Sequence, residues 1–199
     1  MNETSIEQLV AIITTEGYNG LFLLGEKSKV DSICQIPQIE KKLEAIYLDC
    51  NHPSEVRFLA AEIILSKFNK YPIKKYNTIL SNLYGTALTN TGDKTGNFRL
   101  SANLWGYLYE MDDVGVLGNH FIQLGDEAVP ELYKLLDNEE QVLYDGSRDA
   151  TIGNEYQYRI KDFAAFYISK IKNIPVKFYQ DFDERDKEIE RLKKLLEKE

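Results

Sequence analysis

The sequence predicts an all-α protein built from antiparallel helix pairs. Apolar residues recur at helical spacing in two long stretches separated by a break of about five residues, a length that folds neighbouring helices back on each other. The same order of helix, break and helix returns later in the chain. No run alternates apolar and polar residues long enough to build a sheet, and roughly two thirds of the chain follows the helical pattern.

The chain opens with "TSIEQLVAIITTEG", a helix with Thr4 and Glu7 in capping-box spacing. In "IPQIEKKLEAIYLDC" the residues Ile39, Leu43, Ile46, Tyr47 and Cys50 form one stripe, with Pro37 suited to the first turn, where its missing N–H is not needed. After "NHPSEV", Ser54 is the expected N-cap of a helix carrying Val56, Leu59, Ala60, Ile63, Ile64 and Phe68. "IKKYNTILSNLYGTAL" reads as a further helix, followed by the turn-rich "TNTGDKTGN". "LSANLWGYLYEMDD" and "DVGVLGNHFIQLG" read as two short helices, with Trp105 as a core anchor. Gly115 and Gly118 cost about 1 kcal/mol each in helix propensity. They are therefore expected to mark close helix contact, with Leu117 and Phe121 beside them.

The second pair begins with "GDEAVPELYKLLDN", where Asp126 is the expected cap and Val129, Leu132, Leu135 and Leu136 share a face. Its partner is "YRIKDFAAFYISKI", with Ile160, Phe163, Ala164, Tyr167 and Ile168 on the stripe. "IPVKFY" reads as a strand-like linker. A last helix over 183–198 carries Ile189, Leu192 and Leu195 or Leu196 on a narrow stripe, with Glu190 and Lys194 at pairing distance. The second helix of each pair holds an Ala-Ala step followed by an apolar run and Ser-Lys, "AAEIILSK" and "AAFYISK", which points to an internal repeat.

The pairs at 37–69 and 124–172 resemble HEAT repeats. The resemblance rests on the "LGDEAVPELYKLLD" helix and on Arg57 with Ala60 and Ala61, and Arg159 with Ala164 and Ala165. It implies a HEAT-like α-solenoid, one domain over 1–199, of the kind that binds other macromolecules on a concave face. Residues 104–172 also resemble uncharacterised bacterial HEAT-like proteins through "NLWG", "LG" and "YRIKDFAA". The chain departs from the ordinary HEAT pattern at 138–153, sixteen residues where a helix pair needs about two to eight.

That excursion is where a binding role is expected. Val142, Leu143, Tyr144 and Ile152 give it anchors, "DGSRD" is turn chemistry with Gly146 at positive φ, and Asn154 is a candidate cap. Residues 110–149 carry eleven acids against Lys134 and Arg148, a net charge of −9 within a chain of net charge −8, so the rest sums to +1. Such a block disfavours nucleic acid and attracts a basic protein partner. Tyrosine, thirteen in the chain, supplies contact area at low rotamer cost. The expected partner-binding residues are Glu139, Glu140, Tyr144, Asp145, Arg148, Asp149, Thr151, Tyr156 and Tyr158.

No catalytic pattern accompanies them. His52 and His120 stand 68 residues apart, His52 reading as a turn residue on the surface and His120 as semi-buried. No metal-ligand spacing, phosphate loop or nucleophile elbow occurs, and the neighbouring carboxylates Asp112–Asp113 and Glu139–Glu140 read as a cap and a solvated turn. Cys34 and Cys50 lack metal or redox spacing and read as two buried thiols of a reducing compartment. The acidic start is not that of a secretory signal, and no stretch reaches membrane-spanning length.

The expectation is a cytoplasmic protein without cofactor or metal and without enzymatic activity. In its most concrete form it is a bacterial immunity-type protein that neutralises a basic toxin domain. The alternatives are a scaffold that binds a peptide in its groove and, further off, an enzyme built around His120, Arg148 and Asp149.

Overall fold

The computed structural model describes residues 4–23, 29–91, 100–110 and 113–198. Most of the "TNTGDKTGN" turn and Asp112 of the paired carboxylates lie outside them. Among the described residues no β-strand forms. Two isolated antiparallel bridges, Tyr107 with Asp113 and Gln141 with Arg159, are the β-type pairing present. No helix among them is long and apolar enough to cross a membrane. The chain divides into two compact units, Met1–Ala87 with Asp93–Leu100, and Leu88–Gly92 with Ser101–Glu199.

The first unit is organised by α4 (Ser54–Lys67), which packs on α3 (Ile39–Leu48) and α1 (Ile6–Tyr18). Every residue of α4 from Phe58 to Leu65 is buried, so this helix is the centre of its unit rather than an amphipathic cover. Ala60 and Ala61 are fully buried on it, and small residues there let neighbouring helices approach. Arg57 Nε donates to the Tyr47 carbonyl at 2.9 Å, tying the start of α4 to the end of α3 in an antiparallel hairpin. Around this pair stand α2 (Lys29–Ile33) and α5 (Asn77–Thr89). Buried Glu62 on α4 accepts from the Tyr84 hydroxyl and from Ser66 Oγ. Burial first and the Glu62 carboxylate second hold the Tyr84 phenol far above its ordinary range.

Several local readings need correction here. The first capping box is Ser5 with Gln8, not Thr4 with Glu7: Gln8 N–H donates to Ser5 Oγ at 3.2 Å and Ser5 N–H to Gln8 Oε1 at 2.9 Å. Thr4 instead offers its carbonyl to Lys42 Nζ at 2.9 Å. Pro37 precedes α3 rather than sitting in its first turn, because Gln38 enters the left-handed region at φ 58°. Pro53 takes the cap position of α4, leaving Ser54 inside the helix. Cys50 is exposed, since α3 ends at Leu48 and Asp49 Oδ1 takes the Asn51 N–H at 2.9 Å, turning the chain outward. Cys34 is half-buried, so the two thiols are free but not the buried pair expected.

The second unit is organised in the same manner by α10 (Ile160–Lys172), buried without a break from Ile160 to Ile168. Against it pack α7 (Val116–Gln123), α8 (Val129–Lys134) and α11 (Phe182–Leu196). Helix α6 is only Ala102–Trp105, because Gly106 takes φ 126° and Tyr107 N–H then bonds the Asp113 carbonyl at 2.9 Å. Trp105 is the anchor expected of it: fully buried, its indole N–H donates to Thr91 Oγ1 at 2.7 Å and its carbonyl accepts from Tyr167 at 2.6 Å. Gly118 on α7 lies against that carbonyl, and a Cβ there would stand 2.5 Å from the Trp105 oxygen and 2.8 Å from the Tyr167 ring. Gly115 precedes α7 at φ 68° and is equally close to the Leu104 and Trp105 backbone. Asp126 makes no cap bond; it lies in a 3-10 turn, Gly125–Ala128, that leads into α8. "IPVKFY" forms no strand, although Val176 and Phe178 are buried.

Candidate functional site

The polar stretch after α8 is not an extended loop. Residues 140–142 fold back along 158–160, with Val142 N–H on the Tyr158 carbonyl at 2.9 Å and Ile160 N–H on the Glu140 carbonyl at 2.8 Å. Asn154 then clamps the backbone of Tyr144, accepting its N–H at 2.8 Å and donating to its carbonyl at 3.1 Å. Gly146 turns the chain at φ 92°, as its place in "DGSRD" predicts, and α9 (Ser147–Glu155) follows. Asn154 is therefore inside a helix rather than a cap. Gly153 is the buried residue of α9 and lies directly on the Tyr144 ring, leaving no room for a side chain.

This folding gathers tyrosines from both sides of the insert. Tyr144 is buried, donates to the Gly106 carbonyl at 2.9 Å, and stacks on Tyr107 at 5.7 Å between centroids. Tyr109 sits edge-on to Tyr107 and Tyr144, and lies 6.2 Å from Tyr156, whose ring in turn stacks on buried Tyr158 at 5.2 Å. At the outer edge of this cluster is Asp149, in the first turn of α9. Its carboxylate accepts from Asn103 Nδ2 at 3.2 Å, Tyr107 Oη at 3.3 Å and Tyr109 Oη at 3.5 Å. All three donors are neutral, and no cation of the described residues pairs with it. Burial first, and then the Asp149 carboxylate, push the Tyr109 phenol up to about 12.

Tyr109 and Tyr156 also line an open cleft of about 240 Å³, completed by Leu108, Lys177, Phe178 and Tyr179. Tyr156 is held in the wall from behind. Its carbonyl accepts from Arg185 Nη2 at 2.7 Å, and the fully buried Arg185 pairs with the fully buried Asp162 at 3.0 Å. Asp162 also accepts from Arg159, which reaches Asp186 at 2.6 Å and Glu139 at 2.8 Å; Lys161 joins the same two acids. The guanidinium of Arg185 lies 4.8 Å from the Tyr158 ring centroid and 5.0 Å from that of Phe182. This network ties α10 to α11 and fixes the cleft from the inside.

The outer members of the network make it acid-sensitive. The hydrogen bond from Lys161 holds Glu139 below its ordinary 4.5, and for Asp186 the hydrogen bonds from Arg159 and Lys161 overcome the upward push of burial, leaving it below 3.8. Both groups bind protons more weakly folded than unfolded. Their contribution is thus present above the ordinary carboxylate range and lost as pH falls below it. Urea midpoints measured from pH 6 down to pH 3 are expected to fall more steeply for the wild type than for Glu139→Gln.

The nine residues singled out from the sequence are divided by the structure. Asp149 and Tyr156 belong to the cleft region. Tyr144 and Tyr158 are buried and form its foundation rather than a contact surface. Glu139 is exposed but already paired with Arg159 and Lys161 of the same chain. Glu140, Arg148 and Thr151 are exposed, with Thr151 Oγ1 bonded back to the Ser147 carbonyl at 2.7 Å. Asp145 is exposed and its backbone is bracketed by Asn103 at 2.8 and 3.0 Å.

The acidic block is likewise less uniform than its sequence. Asp137 pairs with Lys193 at 2.6 Å, Asp126 with Lys172 at 3.5 Å and Glu131 with Lys134 at 2.6 Å. Glu190 pairs with Lys193 at 2.8 Å, not with Lys194. Tyr107, Tyr109, Lys177, Phe178 and Arg185 are not among the residues the sequence singles out.

A larger cleft of about 520 Å³ lies among Asp126, Val129, Pro130, Tyr133, Lys172, Leu196 and Glu197. Its charges are already engaged, Asp126 by Lys172 and Glu197 by the Tyr133 hydroxyl at 3.5 Å. Among the described residues no group of three or more His, Cys, Asp and Glu is placed to hold a metal. Comparison of the chain with family models, with curated proteins and with solved structures gives no match.

Proposed function

We propose that the protein is a non-enzymatic binding module that engages a basic protein partner through the surface formed by Asp149, Tyr109 and Tyr156. The observation that carries this reading is the Asp149 carboxylate, whose donors among the described residues are all neutral and which stands at the hydroxyl end of a cleft-lining tyrosine. A carboxylate that pairs with no cation among the described residues gains most when a partner supplies one, and aromatic walls add contact area at low entropic cost. Four other acids of the 110–149 segment, Asp126, Glu131, Asp137 and Glu139, are paired with lysine or arginine of the fold, which reduces what the rest of the block offers to a cation.

The concrete form of the reading is an immunity-type protein of the bacterial cytoplasm that neutralises a basic toxin domain. The HEAT-like, solenoid-type stacking of helix pairs belongs to the same proposal. It is supported by two units each centred on an Ala-Ala helix, α4 and α10. The 520 Å³ cleft with apolar Val129, Pro130 and Leu196 favours the second reading, a scaffold that takes a peptide in a groove.

Affinity capture from the native host at low and high salt separates them. The first reading predicts a partner of basic isoelectric point that is retained at low salt, released at high salt, and not retained by Asp149→Lys. Retention that ignores salt and this substitution, but is lost on Val129→Glu, supports the groove instead.

A further inference from the structure

Resting on the basic-partner reading, we infer that the cleft beside Asp149 receives an arginine side chain of the partner, in preference to lysine. The unit already contains the same combination of groups in its interior. There the Arg185 guanidinium lies over the Tyr158 and Phe182 rings at 4.8 and 5.0 Å and pairs with Asp162 at 3.0 Å. Arg159 belongs to the same site, 4.8 Å from the same Phe182 ring and 3.1 Å from the same Asp162. At this one interior site, where a carboxylate lies beside aromatic faces, the cations are arginines; in the other unit Lys75 lies over Tyr76, whose hydroxyl donates to Glu44. Lys170 approaches the Phe166 ring at 5.2 Å, without a carboxylate among its described contacts.

The outer site assembles equivalent parts around a cleft. Tyr109 and Tyr156 stand 6.2 Å apart at 27°, and the Tyr109 hydroxyl reaches Asp149 at 3.5 Å. The cleft volume, about 240 Å³, lies below the roughly 300–1,000 Å³ of small-molecule and cofactor sites and suits a single long side chain. Lys177 stands in the same wall. An entering cation therefore meets one like charge as well as one carboxylate, and electrostatics alone gives it little. The entrant has to gain from stacking as well as from pairing. A planar, weakly hydrated guanidinium does both, whereas a compact and strongly hydrated ammonium forfeits hydration to stack. Arginine can also use its fork geometry on the Asp149 carboxylate while its stem covers Leu108 and Phe178.

The test is a pair of NMR titrations of the full chain, labelled with 15N, at low ionic strength. The probes are two blocked pentapeptides, Gly-Ala-Arg-Ala-Gly and Gly-Ala-Lys-Ala-Gly. The arginine peptide is expected to shift amides around Tyr109, Asp149, Tyr156 and Phe178 and to bind at least about fivefold tighter than the lysine peptide. Asp149→Asn should weaken it about tenfold while leaving the amide pattern around Tyr144 in place, and Lys177→Gln should tighten both peptides.

Equal binding of the two peptides overturns the inference, as do shifts centred elsewhere or indifference to Asp149→Asn. If neither peptide binds but a basic partner from the host is still captured by the wild type and lost with Asp149→Lys, the arginine assignment falls and the basic-partner reading stands. If that capture fails as well, both fall.

Discussion

Asp162→Ala is expected to destabilise the second unit by about 3–5 kcal/mol, the usual cost of removing one member of a buried ion pair. Asp162 is completely buried and is the carboxylate shared by Arg185, also completely buried, and Arg159. Its loss leaves two guanidiniums inside the fold. Arg185 then keeps the carbonyls of Tyr156 and Gln180, at 2.7 and 3.2 Å, and the faces of Tyr158 and Phe182, none of which carries a formal charge. The complementary change, Arg185→Met, should cost less. It leaves Asp162 with Arg159 and continues the apolar stripe of Ile189 and Leu192 on α11. Urea unfolding followed by circular dichroism checks the order: Asp162→Ala well below Arg185→Met, and both below the wild type. An Asp162→Ala midpoint within error of the wild type would mean that the network is surface decoration and that the cleft wall at Tyr156 is not held from within.

Gly118→Ala is expected to lower stability by about 1–3 kcal/mol, against the direction of helix propensity, which alone would favour alanine by about 1 kcal/mol. The new methyl would stand 2.5 Å from the Trp105 carbonyl oxygen, which is backbone and cannot rotate away, and 2.8 Å from the Tyr167 ring. Tyr167 is itself fixed, since its hydroxyl donates to that same carbonyl at 2.6 Å. Relief therefore requires α7 to move off the Trp105 turn. Thermal unfolding decides by sign: a lower midpoint confirms the close approach, and a higher one shows that Gly118 merely weakens a helix.

The helices that organise each unit are legible in the sequence because their apolar residues recur at helical spacing, although burial in α4 and α10 extends all round the helix. α3, α4, α10 and α11 each show a stripe, and the glycines around α7 mark contacts that the structure contains. The caps are less legible, since Thr4-Ser5 and Pro53-Ser54 each offer adjacent residues between which only backbone dihedrals choose.

The polar insert was misread for a clearer reason. Helix α9 buries a single residue, Gly153, and a helix that docks through a glycine leaves no apolar stripe. Its docking surface is the Tyr144 ring, so the tyrosine that looked like a contact group is a core group. The acidic block misled in a similar way. The cations that neutralise Glu139, Asp137 and Asp126 come from α10 and α11, later in the chain, and only folding brings them near. Two signals were present and unused. Arg185 occupies the first position of the stripe that continues through Ile189 and Leu192, where an apolar residue is expected. "YLY" and "YQY" each place two tyrosines two residues apart, and these four rings form most of the aromatic cluster.

The central claim is that recognition is local to the cleft beside Asp149 and does not arise from the general acidity of the chain. It is tested most directly by the dissociation constant of the captured partner for two variants of identical charge change, Asp149→Lys and Asp137→Lys. Asp137 is more exposed, at 83% of its side chain, and is already compensated by Lys193. The account predicts that Asp149→Lys weakens binding by at least about a hundredfold while Asp137→Lys stays within about threefold of the wild type. Equal losses for the two substitutions would contradict it.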